Sequence, residues 1–387
     1  MTKPDLSAQV MVDAACTEIG LTNFGLPAFI EAFEVHVECA AKEVHFHPMG
    51  LAGFKADMHR LLVNRLRFEE DMRLHPEILD EDISDPIIIL GLVRTGTSKL
   101  QRMMSSDPHV QKLYFWRLLN PAPFPGNTPG EDPRIEVARQ TSGMLAKLAP
   151  DFMTAHPTLA EDVDEELLLL EFSFKTIVHY LLTPAPGYYA WLMRQSLRDA
   201  YQDLGRLIKY LQWQDGGKRN RPWIMKSPLH LGNLDALLEV FPKATLVHCH
   251  RDVSEVIASY SRLNEVTWQM KTVQYTSQEV GQAMLKVWST EMRKYLQLRK
   301  KLSPKRDIFD VRYDEINRDP MPVIREIYRR AGRPLGEESV NAMLKWSHEN
   351  PKDRFGKNIY TLEQFGLTRK IVEEAFRDYI EQFQPYL

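Results

Sequence analysis

Residues 86–100 read PIIILGLVRTGTSKL, and no other stretch of the chain limits the fold as strongly. An unbroken apolar run over 86–90 gives way to Gly91, then to Arg94-Thr95-Gly96-Thr97-Ser98, then to a helical pattern. A short apolar run without polar alternation predicts a strand buried on both faces, and such strands belong to parallel sheets. The turn after it opens a helix, so backbone N–H groups and the positive end of the helix dipole converge on one spot and favour an anion there. The hydroxyls of Thr95, Thr97 and Ser98 and the guanidinium of Arg94 add donors of the right kind. The segment therefore predicts an anion cradle at the end of a buried strand.

The rest of the chain supplies the sheet that such a strand needs. Strand character returns at 222–225, 245–249 and 308–311, alternating with helical patterns at 231–240, about 253–262 and 321–331. Alternation of this kind predicts an α/β fold: a P-loop-like central parallel sheet, flanked by helices and built with right-handed crossovers. Residues 1–85 read as an N-terminal helical extension, with Phe54, Met58, Leu61, Leu62 and Leu66 on one helix face and His75-Pro76 as its stop. Residues 86–387 form the α/β domain. Within it, 110–220 reads as a helical insertion that covers the cradle and shapes a substrate pocket. The insertion starts with a loop rich in proline and glycine over 121–133 and continues with helices at 134–148, 159–181 and 196–214. A last helix begins near 368.

Composition excludes several function classes. The formal net charge of -3 provides no basic field for nucleic acid. Three cysteines, Cys16, Cys39 and Cys249, without a CxxC pair argue against a disulfide framework or a structural zinc site. No secretory leader opens the sequence, and no run approaches the ~20 apolar residues of a membrane span, so a cytoplasmic protein is expected. A homo-oligomer is allowed.

The anion is narrowed by what the cradle lacks. Gly91 and Gly96 have the separation of a Walker A loop, but Thr97 stands where its lysine belongs, and Lys99 comes two positions later. An ordinary nucleoside triphosphatase is disfavoured. A second motif adds KSPLHL at 226–231 and VFPKATLVHCHRDVSEVIASYSRL at 240–263, with Arg251 just past a strand and Ser259 eight residues on. Together the motifs resemble the sulfotransferases that use 3′-phosphoadenosine-5′-phosphosulfate, in the bacterial-type branch whose first loop reads PRTGT. The resemblance covers about 86–106 and 222–367 and is weak or absent over the first 85 residues. It implies a 5′-phosphosulfate site at Arg94, Thr95, Gly96, Thr97 and Ser98 and a 3′-phosphate site at Arg251 and Ser259. FDVRYDEI at 309–316 implies Tyr313 near the adenosine, and the 351–367 segment implies Lys352, Arg354 and Lys357 in a loop closing over the nucleotide.

Sulfuryl transfer needs alignment and a cation for the charge that develops on the leaving oxygen. Arg94 and Lys226 are the candidates. The acceptor, a hydroxyl or amine of a small-molecule or lipid-like compound, must lose a proton, so a general base is expected. His230 is the first choice, although the resemblance would place a histidine where Pro228 stands. The pair Glu165 and Glu166 is the rival, and also fits a solvated acidic face. No metal is expected: His248 and His250 share one strand face, but the sequence offers no third ligand. Phe172, Phe174, Tyr180, Tyr188, Tyr189 and Trp191 fit an apolar acceptor pocket and fit a core equally well. Two other functions compete. One is a small-molecule or nucleoside kinase with a degenerate Walker A loop, in which Asp252 would serve magnesium. The other is a non-catalytic nucleotide-binding protein.

Overall fold

The computed structural model describes residues 6–126, 130–302, 306–351 and 360–387, so Lys352, Arg354 and Lys357 lie outside the described residues. Four strands form one parallel sheet: β1 (Ile87–Gly91), β2 (Ile224–Lys226), β3 (Thr245–His250) and β4 (Ile308–Arg312), in the order β2-β1-β3-β4. Ile89 pairs with Lys226 on one side and Val247 on the other, and His248 pairs with Asp310. The side chains of β1 alternate between two cores, as the pleat requires. Ile87 and Ile89 pack with Leu100, Met103, Ile324 and Met343, whereas Ile88 and Leu90 pack into the larger core with the N-terminal helices and the insertion. The sheet is thus covered on both faces, and all four residues are fully buried.

The strand order decides where a ligand can sit. From β1 the chain goes to β2 on one side, then crosses back to β3 on the other. The segments leaving β1 and β3 therefore diverge above their carboxyl ends, which opens a crevice at the switch point. Both arginine-bearing loops leave the sheet at this crevice.

The N-terminal helices, Ala8–Ile19, Ala28–Glu43 and Pro48–Leu74, pack into the larger core. Arg65 is fully buried between them and the insertion. It donates to the carbonyls of Phe24 (2.6 Å) and Phe172 (2.7 Å) and to Asp203 (2.8 Å), and lies 4.4 Å from the Phe29 ring centroid. Arg206 meets Glu69 at 2.6 Å beside it. A buried arginine satisfied this fully fixes how the two units dock, because any slip would strand its charge.

Two parts of the sequence reading change. The helix expected over 159–181 is broken into Leu167–Leu170, a single 3-10 turn at Glu171–Ser173, and Val178–Leu182. Phe174 takes a left-handed φ of 54°, and the Tyr188 hydroxyl donates to the carbonyls of Phe174 and Thr176 at 2.8 Å. Tertiary hydrogen bonds therefore replace the helical ladder. The aromatic residues of this region serve the core: Phe174 sits edge-on to Phe29 and Phe33 at 5.4 and 5.0 Å, and Phe172 sits edge-on to Phe68 at 5.9 Å. They seal the insertion against the N-terminal helices. The 26-residue helix Ser277–Leu302 was not expected, although Val280, Met284, Val287, Trp288 and Tyr295 repeat on one buried face.

Two expectations follow. His36 is fully buried, with rings of His179 (4.6 Å) and Tyr188 (4.8 Å) around it and no hydrogen-bond partner for either nitrogen among the described residues. Burial, helped by His179 and Lys271, holds its pKa well below the ordinary value, so it stays neutral in the fold. The unfolded chain protonates it near pH ~6.5, so stability is lost as pH falls below that value. His36→Phe should leave stability at pH ~7.5 within about 1.5 kcal/mol and narrow the gap in Tm between pH ~7.5 and ~5.5. Thermal denaturation at the two pH values checks this. Gly91 has φ +148°, and a Cβ there would lie 2.8 Å from both the Cys249 carbonyl oxygen and Thr95 Oγ1. Gly91→Ala must push β1 from β3 and should cost about 2 kcal/mol or more in urea unfolding.

Candidate active site

The strand, turn and helix of the cradle segment form as the sequence predicts. β1 ends at Gly91, and Gly96, at φ 84°, caps the helix Thr97–Met104. Arg94 takes a left-handed φ of 65°, a strained geometry for a side chain that large. Thr95 is fully buried and donates to the Leu92 carbonyl at 2.6 Å, which braces the turn. Ser98 Oγ accepts from Lys226 Nζ at 3.1 Å. Lys99 turns away and donates to the carbonyls of Ile316 (3.0 Å) and Asn317 (3.4 Å), so it does not stand in for a Walker lysine.

The second arginine closes the cradle from β3. Arg251 Nη1 donates to the Arg94 carbonyl at 2.9 Å, its Nη2 meets Glu255, and its guanidinium carbon lies 4.0 Å from the Tyr313 ring centroid. Its Nε is buried without a partner among the described residues. Tyr313 also backs onto Gly96, where an added Cβ would lie 3.2 Å from its ring. Arg94, Gly96, Arg251 and Tyr313, over 200 residues apart at the extremes, thus share one crevice. Asp252 caps the helix Val253–Gln269 by accepting from Ser254 N at 2.8 Å, and its other oxygen pairs with Arg369. Both oxygens are engaged, which is not how a magnesium ligand waits. Ser259 lies about two turns along the same helix, buried.

The carboxylates of the insertion are neither solvated nor idle. Glu165 Oε1 pairs with Lys226 Nζ, while Glu165 Oε2 is buried and has no partner among the described residues. Glu166 is fully buried and accepts from the Lys226 backbone N–H at 2.8 Å through one oxygen. Its other oxygen lies 2.7 Å from His230 Nε2. His230 Nδ1 lies 2.9 Å from the Tyr201 hydroxyl. Tyr201 is fully buried, and burial pushes its hydroxyl far above the ordinary phenol range. Both ring nitrogens of His230 and both oxygens of Glu166 are therefore taken, and Glu165 alone of the three keeps an open proton-accepting atom. Asp164 lies beneath: its Oδ1 accepts from Glu165 N at 2.8 Å and lies 3.4 Å from His156 Nε2. Burial alone would raise the Asp164 carboxyl, but His156, Arg102 and Lys226 outweigh it and hold it below the usual range.

Sequence reasoning did not find Tyr201, Asp164 or His156. Asp164 was legible as part of the acidic run; the other two are single residues in unremarkable contexts. It also missed Asp310, which strand register sets opposite His248. Ligand atoms of His248, His250 and Asp310 lie within 4.8 Å of one another. Arg299 already holds both Asp310 oxygens, at 2.7 and 2.6 Å, and burial drives His248 down to about 3. The cluster serves structure by tying β3 and β4 to the helix Arg377–Phe383, since His250 Nδ1 lies 2.9 Å from the Tyr379 hydroxyl.

Comparison with known proteins gives concordant results. Residues 86–337, well over half of the chain, match the model of the Sulfotransferase family. Omega-hydroxy-beta-dihydromenaquinone-9 sulfotransferase Stf3 from Mycobacterium bovis is 25% identical over 299 residues, which cover 77% of this chain and 74% of the relative. Its Mycobacterium tuberculosis counterpart matches equally. The crystal structure of sulfotransferase STF9 from Mycobacterium avium superimposes with a TM-score of 0.87 at 26% identity, covering 99% of this chain and 98% of that one. Sulfotransferase STF1 from Mycobacterium tuberculosis H37Rv gives 0.78 at 26% identity, covering 97% and 100%. The matched span runs through the cradle, Arg251 and Tyr313 alike, and the chain belongs to the sulfotransferase family.

Proposed function

We propose that this enzyme moves a sulfuryl group from 3′-phosphoadenosine-5′-phosphosulfate to the hydroxyl of a lipid-like acceptor. The observation that carries the reading is the 2.9 Å bond from Arg251 to the Arg94 carbonyl, because it joins two anion-binding loops at one crevice. The residues present fit a doubly anionic nucleotide. The helix start at Thr97 offers N–H groups to an anion, and the buried Arg251 Nε has no acceptor among the described residues. When bound, the donor supplies an activated sulfuryl group and a good leaving phosphate.

The chain's own residues take the remaining tasks. The N–H groups of the loop and of the helix start, with Arg94, Thr97 and Ser98, hold the 5′ end, and Thr95 keeps the loop in shape. Arg251 and Ser259 hold the 3′-phosphate, and Tyr313 supports the arginine face. Lys226 is held at the cradle by Ser98 and Glu165. From there its ammonium stabilises the charge that develops on the leaving oxygen. Glu165 is the general base, because its Oε2 is the open acceptor atom of the trio. Glu166 and His230 position Lys226 and the start of the segment after β2. The acceptor class rests on the relatives, whose names specify a hydroxylated menaquinone.

The direct test is transfer of labelled sulfate from the donor to a panel of long-chain and isoprenoid alcohols; no labelled product with any alcohol would reject the reading. Arg251→Ala should weaken binding of adenosine 3′,5′-bisphosphate by about tenfold or more in calorimetry, since it removes a charged, largely desolvated contact. Glu165→Gln should lower kcat by about 100-fold or more with nucleotide affinity nearly unchanged. His230→Gln, which keeps a donor toward Glu166, should lose far less. The reverse order of the last two would return the base to His230.

A further inference from the structure

A base that takes a proton in a closed site must lose it before the next turnover. Glu165 is 8% exposed, so its carboxyl has little direct contact with water. The inward route is blocked: Glu166 leads to His230, and His230 to Tyr201, all three fully buried or nearly so. That path ends at the Tyr201 hydroxyl, which is buried and offers no exit to solvent. On the other side stands His156. It follows the helix Pro150–Ala155, and its N–H donates to the Phe152 carbonyl at 2.7 Å. A ring nitrogen of His156, an oxygen of Asp164 and an oxygen of Glu165 lie within 4.8 Å of one another, while 27% of the His156 side chain is exposed. The group thus has one end among the buried carboxylates and the other in solvent.

We propose that His156 is the proton-relay residue that returns Glu165 to its basic form after each transfer, a role that rests on the reading of Glu165 as the base. The acceptor O–H bond breaks as its oxygen bonds to sulfur and the bond from sulfur to the donor's phosphate oxygen breaks. The proton goes to Glu165 Oε2, then through one bridging water to His156, whose imidazolium releases it to bulk water. A single water spans the remaining gap. An imidazole suits the task because it can take up a proton at one ring nitrogen and release one from the other. Asp164, 3.4 Å from His156 Nε2, orients the ring and stabilises the transient imidazolium. The other charges facing Asp164 are Lys226 on β2 and Arg102. Arg102 is held by the Pro157 carbonyl at 2.7 Å and Asp162 at 3.7 Å, so it is already paired.

The test separates the first transfer from later ones. Enzyme loaded with the donor nucleotide is mixed with an accepted alcohol, and labelled product is followed through the first turnover and into steady state. For His156→Ala the first turnover should stay within about twofold of wild type while the steady-state rate falls about tenfold or more, giving a burst. Imidazole at tens of millimolar, or more concentrated buffer at fixed pH, should restore the steady-state rate of the variant and leave wild type unchanged. Binding of adenosine 3′,5′-bisphosphate should be unaffected, which shows that the variant is folded. Equal loss in both phases without imidazole rescue, or no loss in either, overturns the relay. Glu165→Gln should lose the first turnover itself. If it does not while wild type transfers sulfate, the assignment of the base falls and the relay with it. Absence of transfer in wild type rejects the broader functional reading.

Discussion

Two adjacent carboxylates held out of water give this site its shape. Leaving Glu165 and Glu166 buried and unpaired would cost several kcal/mol each, so the fold must bring cations and donors to them. Lys226 answers both, with its ammonium on Glu165 and its backbone N–H on Glu166, and His230 takes the remaining oxygen of Glu166. These bonds run from the insertion to β2 and the segment after it. They fix the insertion over the end of the sheet and place the ammonium beside Ser98. Position of the insertion and electrostatics of the cradle are thus one arrangement.

The second constraint is topological. The sheet order β2-β1-β3-β4 makes the chain reverse its direction of winding at β1 and β3. The loops after these strands diverge and leave a crevice, and the tight turn at Gly91 keeps β1 close enough to β3 for Arg251 to reach the Arg94 carbonyl. Behind the crevice, the network of His250, Asp310, Arg299 and Tyr379 fastens the residue preceding Arg251 to β4 and the C-terminal helices. The N-terminal helices act farther away. Through Arg65 and the aromatic seam at Phe172 and Phe174 they brace the insertion from outside.

Where local signals were strong, the sequence was legible. All four strands lie within two residues of their expected positions, because short runs rich in apolar and β-branched residues between turn signals have few alternatives. The helix that follows the cradle and the helix after Arg251 begin where expected, though the latter runs on to Gln269. The insertion was read poorly. Its helical periodicity over 159–181 is real, but the Tyr188 hydroxyl captures two carbonyls there and Phe174 turns left-handed to enter the core. No window of neighbouring residues contains that partner.

The division runs through the site as well. From sequence alone came the parallel sheet and the strand, turn and helix that shape the cradle, since each rests on residues close together in the chain, whereas Arg251 was joined to Arg94 through the resemblance of the two motifs to the sulfotransferases. For the base the sequence put His230 first, with Glu165 and Glu166 as rivals. Only the tertiary structure distinguished their surroundings, by spending both nitrogens of His230 and both oxygens of Glu166 on buried partners and leaving Glu165 Oε2 without a partner among the described residues. The reason is physical. Residue type states which protons a group can hold, but burial and partners from distant segments decide which of those atoms is still available.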